Sequence, residues 1–281
     1  MTGQDDGQGV DGRWGRAAVA TAVVVTAVFA GQFLWTAVRP PAPPSDGMRL
    51  WQATELIVPF GVSLVLLVLW LRLRESRGLS DLGVPVRRRA RAVLGAGLLA
   101  LLVLAVASVA GALAAGDDGG GGGGPTPEGA TALPGVLAVV LVLAATALQS
   151  STEELLFRGY LLGAVRTGFG SGAAVAFSSV VFGLCHSFNS GATVVYVATT
   201  VALGALLGVI SLGRGGLWAA CSFHTVWDVV QNIQADPTAP ARDTGSTAVD
   251  VAVLFAIVCC VVVAVWLRRR RPAPQRPQVA R

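Results

Sequence analysis

Ser151-Thr152-Glu153-Glu154-Leu155-Leu156-Phe157-Arg158-Gly159-Tyr160 sets two adjacent carboxylates and an arginine inside a long apolar run. The chain around it has 281 residues, 53% of them hydrophobic and 13% charged, with a mean hydropathy of +0.65. Soluble domains carry about 25% charged residues, so this composition is that of a membrane protein with several runs long enough to cross a bilayer. The runs are continuous rather than alternating, which argues against a closed β-barrel. The fold read from them is an all-α, polytopic transmembrane helical bundle of about eight spans. They lie near residues 17–38, 52–71, 93–115, 134–162, 172–188, 193–212, 216–234 and 248–267.

All 21 basic residues are arginine, and the sequence has no lysine. A pI of 9.7 could point to nucleic acid, but these arginines sit in short loops beside apolar runs. With the N-terminus inside, the cytoplasmic segments hold seventeen: two before residue 19, seven between residues 72 and 91, Arg166, Arg214 and six beyond residue 267. The outer loops hold three, Arg39, Arg49 and Arg242, and the last is Arg158. Arginine excess in short loops marks the cytoplasmic side. Both termini of this multi-pass protein are therefore expected in the cytoplasm and the bundle in the cell membrane. The partner of the charge is membrane lipid, not nucleic acid. Asp5, Asp6 and Asp11 precede the first apolar run, whereas an export signal prefers a basic start, so that span is expected to be retained. Cys185, Cys221, Cys259 and Cys260 all fall inside spans and read as packing residues rather than a disulfide framework.

Composition also divides the chain. Residues 1–16 read as a cytoplasmic tail and 17–115 as three spans with nothing polar deep inside them. Residues 116–133 read as an outer loop with six consecutive glycines, 134–267 as a five-span region holding the chemistry, and 268–281 as a basic cytoplasmic tail. The stretch at 39–45 is proline-rich, and neither it nor the glycine tract can bury a core.

Within the five-span region the deep ionisable residues are Glu153, Glu154, Arg158, His186, His224 and Asp228. A charge at a helix centre costs roughly 2.5–3.5 kcal/mol on insertion scales, so each should face the protein interior and find a partner. His186 and His224 are the only histidines, and both are read as mid-span. Glu154 and Arg158 are four apart and share a helix face, as do His224 and Asp228, and Phe182 and His186. Glu153 points about 100° away from Glu154 and is expected to lack a local partner. At about 1.5 Å per residue, Glu153, His186, His224 and Asp228 lie roughly 13–22 Å from the cytoplasmic ends of their spans. Three helices thus bring polar groups to one level near mid-bilayer.

A carboxylate and an imidazole in a partly dry pocket can polarise and deprotonate a water, and a second imidazole can hold the oxyanion of a tetrahedral intermediate. The same residues, two His and one or two carboxylates with a position left for water, also meet the ligand rules for a divalent metal such as zinc. No H-E-x-x-H is present, which excludes a standard zincin. Both mechanisms stay open at this level, and Cys185 and Cys221, beside the two histidines, are weaker candidates for ligand or nucleophile.

Glu153-Glu154-x-x-x-Arg158, Phe182-x-x-x-His186 and His224-x-x-x-Asp228, in this order on successive polar-bearing spans, resemble the CPBP family. These are the CAAX prenyl proteases and the bacteriocin-processing or Abi-type intramembrane proteases. The similarity covers about residues 134–234, with the Leu82-Gly83 segment also in keeping. The resemblance implies a membrane-embedded helical bundle, typically of eight spans, and a metalloprotease or glutamic-type protease. It implies that Glu153 and His186 activate water, that His224 and Asp228 hold the oxyanion, and that Glu154, Arg158 and Phe182 support them. Eukaryotic and archaeal prenyl proteases of this type typically have Asn at the position of Asp228, although Asp is frequent in bacterial members, and a carboxylate cannot donate to an oxyanion unless protonated. The expected function is an intramembrane endopeptidase acting on a membrane-associated peptide or protein near the cytoplasmic half of the bilayer. The alternative is a non-enzymatic membrane protein, a bacteriocin-immunity factor or a helix-binding scaffold.

Overall fold

The computed structural model describes residues 5–41, 48–83, 90–114, 136–234 and 247–269. Among these, every regular element is helical: α1 (Asp5–Val38), α2 (Met48–Arg74), a 3-10 turn (Leu79–Leu82), α3 (Ala90–Ala114), α4 (Val136–Glu154), a π-helical turn (Leu155–Leu161), α5 (Leu162–His186), α6 (Val194–Ser211), α7 (Gly216–Gln234) and α8 (Thr247–Arg269). The expectations for residues 42–47, for the arginines at 87–89, for the glycine tract, for residues 235–246 and for the tail beyond 269 lie outside the described residues.

Five described segments are long and apolar enough to cross a membrane: Gly12–Val38, Leu50–Arg74, Ala90–Val109, Val140–His186 and Val194–Ser211. The fourth covers 47 residues in two helices that meet at Gly170, in keeping with the two spans that the sequence suggested. Gly170 bends it, with φ 80° and ψ 172°, a backbone conformation closed to most side chains. Asp250–Trp266, within the 23-residue α8, is also apolar. The helix expected at 216–234 forms as α7, but Ser222, His224, Asp228, Gln231 and Asn232 keep it below the hydropathy of an independent crossing.

Around the bundle the neighbours run α1, α2, α4, α7, α3, α8, α6, α5 and back to α1, with α6 also against α7. The N-terminal helices therefore interleave with the later ones: α2 lies on α4, and α3 touches both α7 and α8. One core cluster gathers Leu67, Leu71, Leu156, Phe157 and Leu161; a second gathers Leu206, Leu207, Phe223 and Ile257. Phe33, Leu73 and Phe255 stay exposed, as suits lipid-facing positions.

Lipid tails are as apolar as leucine, so close packing and internal hydrogen bonds must hold such helices together. Small residues supply the approach. A Cβ on Gly204 would sit 3.1 Å from the Ser179 backbone, and one on Gly208 would sit 3.1 Å from Val175; one on Gly183 would collide with Val201. The Gly204-x-x-x-Gly208 pair thus seats α6 directly on α5. Between α1 and α2, Gly31 faces the Pro59 carbonyl in the same way, and Ser63 Oγ lies 2.9 Å from both the Ala27 and Pro59 carbonyls. Ser63 is therefore a buried polar group in a region expected to hold none.

Candidate functional site

The C-terminal half of α4 presents polar residues on the face that meets α7. Thr146 and Ser150 lie one turn apart, and Asn232 Nδ2 donates to Thr146 Oγ1 at 3.1 Å, which stitches α4 to α7. Ser150 Oγ lies 2.7 Å from Asp228 Oδ2 and 3.0 Å from the Thr146 carbonyl, so it tethers the Asp228 carboxylate. Sequence spacing missed this serine, because its partner is 78 positions away. The π-helical turn follows at once, with Leu162 N–H donating to the Phe157 carbonyl. Such bulges recur at functional sites because they re-aim side chains within an otherwise regular helix. Residues 156–161 are all buried, and Leu82 of the 3-10 turn abuts Gly159, where a Cβ would lie 3.2 Å from it.

Glu154 is the hub of the buried charges. Its Oε1 accepts from Arg158 Nη1 at 2.8 Å and from His224 Nδ1 at 2.9 Å, and neither the Glu154 nor the Arg158 side chain is exposed. The expected i,i+4 pair is present, and it also fixes the imidazole of a distant helix. Arg158 further points Nη2 at the Gly204 carbonyl, 3.4 Å away, and lies 4.2 Å from the Phe182 ring centroid. The same phenyl ring is 4.3 Å from the His186 ring and 5.9 Å from that of His224. Phe182 is thus an aromatic wall against all three.

Both imidazoles are oriented through Nδ1. The His186 Nδ1–H donates to the Phe182 carbonyl at 2.8 Å, and the His224 Nδ1–H donates to Glu154. In the neutral form each then turns an Nε2 lone pair toward one carboxylate oxygen. Glu153 Oε2 lies 3.7 Å from His224 Nε2 and 3.9 Å from His186 Nε2, is buried, and has no hydrogen-bond partner in the protein. His224 Nε2 is also 3.4 Å from Asp228 Oδ2. Gln149, one turn before Glu153, corrects the expectation that Glu153 has no local partner: its Nε2 donates to Oε1, although at 3.4 Å the bond is long. His186 is the last residue of α5 rather than mid-span, and its side chain is 20% exposed against 5% for Glu153.

The seven residues singled out in the sequence therefore converge on one locus, in which acceptor atoms face one another and call for a proton donor or a cation. Tetrahedral zinc with ligand bonds of about 2.0–2.1 Å needs donor atoms roughly 3.3 Å apart. The two contacts of Glu153 are wider than that. Among the described residues no group of three or more His, Cys, Asp and Glu is arranged to hold a metal ion. The His224 Nε2–Asp228 Oδ2 distance of 3.4 Å matches that spacing but the contacts of Glu153 do not, and the free Oε2 and the Nε2 lone pairs are acceptors for the hydrogens of a water. Cys185 is partly exposed beside His186 and Cys221 is buried.

Two cavities reach this locus. One, of about 550 Å³, has Glu153, His186 and Phe157 at its inner end and Gln32, Thr36 and Arg39 on its α1 side. The other, of about 250 Å³, brings Tyr196, Thr200 and Gln231 to His186, His224 and Asp228. A third, of about 660 Å³, lies beyond the π-helical turn among Arg16, Arg77 and Arg166, and touches Arg158 and Tyr160. There Tyr160 OH donates to Glu75 Oε1 at 2.6 Å and Trp70 Nε1 lies 2.9 Å from the same oxygen, which clamps the π-helical turn to the end of α2.

Residues 135–230, from α4 to α7, match the family model of the type II CAAX prenyl endopeptidases, Rce1-like. The match contains all three motifs and leaves α1–α3 and α8 outside it. The resemblance to the CPBP and CAAX protease family holds over that stretch, and it supports a membrane-embedded CAAX-type protease in broad outline. No curated protein matches the chain at a significant level.

Proposed function

We propose, from a region that matches a family of CAAX prenyl endopeptidases, that this protein is an intramembrane endopeptidase hydrolysing a peptide bond in a membrane-associated peptide or protein with a Glu/His-activated water. The observation that supports it most is Glu153 Oε2, buried, free of protein hydrogen bonds and within 4 Å of two imidazole nitrogens whose tautomers are fixed from behind.

A water between these groups donates one hydrogen to Glu153 and the other to His186 Nε2. Glu153 takes the proton as general base while the hydroxide attacks the substrate carbonyl. His224 in its imidazolium form donates Nδ1–H to Glu154 and Nε2–H to the oxyanion, where preorganised donors lower the barrier most. Asp228, held by Ser150, orients His224 and balances its charge. Glu153 then returns its proton to the departing amine. Phe182 and Arg158 keep both imidazoles in place and water out of the far side. The protein works within the cell membrane, with lipid and a polypeptide as partners and both termini in the cytoplasm.

The test is cleavage by purified protein in detergent of quenched fluorogenic peptides that carry an apolar segment, run in H₂¹⁸O with product masses recorded. The expected result is one ¹⁸O in the new carboxyl group and no product from Glu153→Gln. A Glu153→Gln variant that cleaves as the parent does would remove Glu153 from the chemistry. A folded parent inert across the peptide set would favour the immunity-factor or scaffold alternative.

A further inference from the structure

The helix directions give the bundle two chemically different ends. Arg13 and Arg16 start α1, Arg72 and Arg74 finish α2, Arg91 starts α3, and Arg214 sits in the turn between α6 and α7. These mark a basic end, which also holds Arg77 and, near the bend at Gly170, Arg166. At the opposite end α1 finishes, α2 starts, α5 gives way to α6, and α7 finishes. Among the described residues the arginines of that end are Arg39 and Arg49.

Both cavities that reach the candidate site belong to the arginine-poor end. The larger is bounded by Thr36 and Arg39, the last turn of α1, and by Asn189 and Ser190 of the α5–α6 connection, all of them exposed. The smaller is bounded by Tyr196 near the start of α6, Gln231 near the end of α7 and Asp250 near the start of α8. The cavity of the basic end reaches Arg158, Gly159 and Tyr160 and stops there. Between it and Glu153 stand Leu156, Phe157 and Arg158 of the π-helical turn, each no more than 4% exposed. A polypeptide can therefore approach Glu153 and His186 from one end alone among the cavities described.

The larger cavity has the lining an unwound peptide needs. A helix must be opened before its peptide bond is attacked, and backbone groups released inside a membrane require hydrogen-bond partners. Gln32, Thr36, Asn189 and Ser190 offer them, while Phe29 and Phe188, with ring centroids 5.0 Å apart, supply an apolar wall. At the mouth Arg39 and Glu55 form a half-exposed ion pair at 3.9 Å, able to accompany a polar flank of the substrate.

In short loops the arginine-rich side is the cytoplasmic one. We propose that the substrate is a polypeptide presented from the non-cytoplasmic face, an exported peptide or the outward flank of a membrane span, rather than a cytosolic chain terminus. Proteolysis itself rests on the function proposed above. The route of access rests on the cavities and the arginines.

The experiment uses Ser190→Cys, at the mouth, and Thr167→Cys, in the cavity of the basic end, each in the full chain. Intact cells are treated with a membrane-impermeant maleimide, with the parent protein as the blank for its own four cysteines. Labelling of Ser190→Cys in intact cells, and of Thr167→Cys only after permeabilisation, is the expected result; the reverse pattern overturns the proposal whatever the activity. In detergent, a bulky maleimide on Ser190→Cys should abolish peptide cleavage relative to the same variant unlabelled, and on Thr167→Cys should leave it intact. Blockage from Thr167→Cys alone would equally overturn the route. A parent that cleaves nothing while Ser190→Cys labels from outside would count against proteolysis and leave the orientation of the cavity standing.

Discussion

Replacing Arg158 by methionine removes a guanidinium whose side chain has no exposed surface and whose Nη1 lies 2.8 Å from Glu154 Oε1. Methionine fills much of the volume, so the perturbation is chiefly electrostatic. The bond to the Gly204 carbonyl and the contact with the Phe182 ring are lost as well. Glu154 is then a buried carboxylate with His224 as its remaining donor. Removing one partner of a buried pair costs about 3–5 kcal/mol. At about 2–4 °C per kcal/mol for a chain of this size, the melting temperature should fall by roughly 6–20 °C. Glu154→Gln should cost a similar amount, because it strands the guanidinium instead. The double variant Glu154→Gln/Arg158→Met buries no charge at this pair and should be more stable than either single one, since a neutral pair can replace a buried ion pair with little loss. Thermal unfolding in detergent, followed by the fluorescence of the seven tryptophans, reads all three against the parent. An Arg158→Met protein that melts with the parent, or a double variant whose loss equals the sum of the singles, would refute the claim that this pair is coupled and buried.

Glu153→Gln should abolish cleavage yet melt close to the parent, because Oε2 satisfies no protein group; a large drop in melting temperature would show a structural role instead. His224→Ala should abolish cleavage and also lower stability by about 1–3 kcal/mol, the cost of withdrawing a donor from buried Glu154. Equal stability of the two variants would contradict that difference. Asp228→Asn should lower cleavage in a parent shown metal-free by elemental analysis, since the amide oxygen still accepts from Ser150 but no longer balances the charge of His224; parent-level or higher activity would show that an amide N–H₂ donating toward the oxyanion replaces that role. Glu75, outside the spans, is pushed up by partial burial, but hydrogen bonds from Tyr160, Trp70 and Arg77 together with the Arg77 charge hold its carboxyl below the usual 4.5. A lowered value means stability that is present above pH 4.5 and lost as pH falls through the folded value. Melting temperature should therefore drop on acidification in the parent and less in Glu75→Gln, and parallel curves would show that the clamp is idle.

The sequence alone determined the membrane character of the chain, the position of most helices and the identity of the groups that had to meet. The reason is the cost of charge in lipid: six ionisable residues deep in apolar runs require partners, and spacing of four supplied Glu154 with Arg158 and His224 with Asp228. Helical periodicity is a local property, and so are these pairs. What joins helices was invisible at that level. Ser150 reaching Asp228, Glu154 reaching His224 and Asn232 reaching Thr146 depend on which faces of α4 and α7 meet. That Gly183, Gly204 and Gly208 seat α6 on α5 emerges only from the contact between the two helices. The π-helical turn at residues 155–161 falls where a local reading sees an ordinary helix, whereas the break at Gly170 lies where composition already divides the run. Depth counted along separate spans placed the polar groups at one level but gave no direction of access. Tertiary structure decided that, because a cavity is the space left between helices that are far apart in the chain, and its mouth lies where α1 ends and α5 turns into α6.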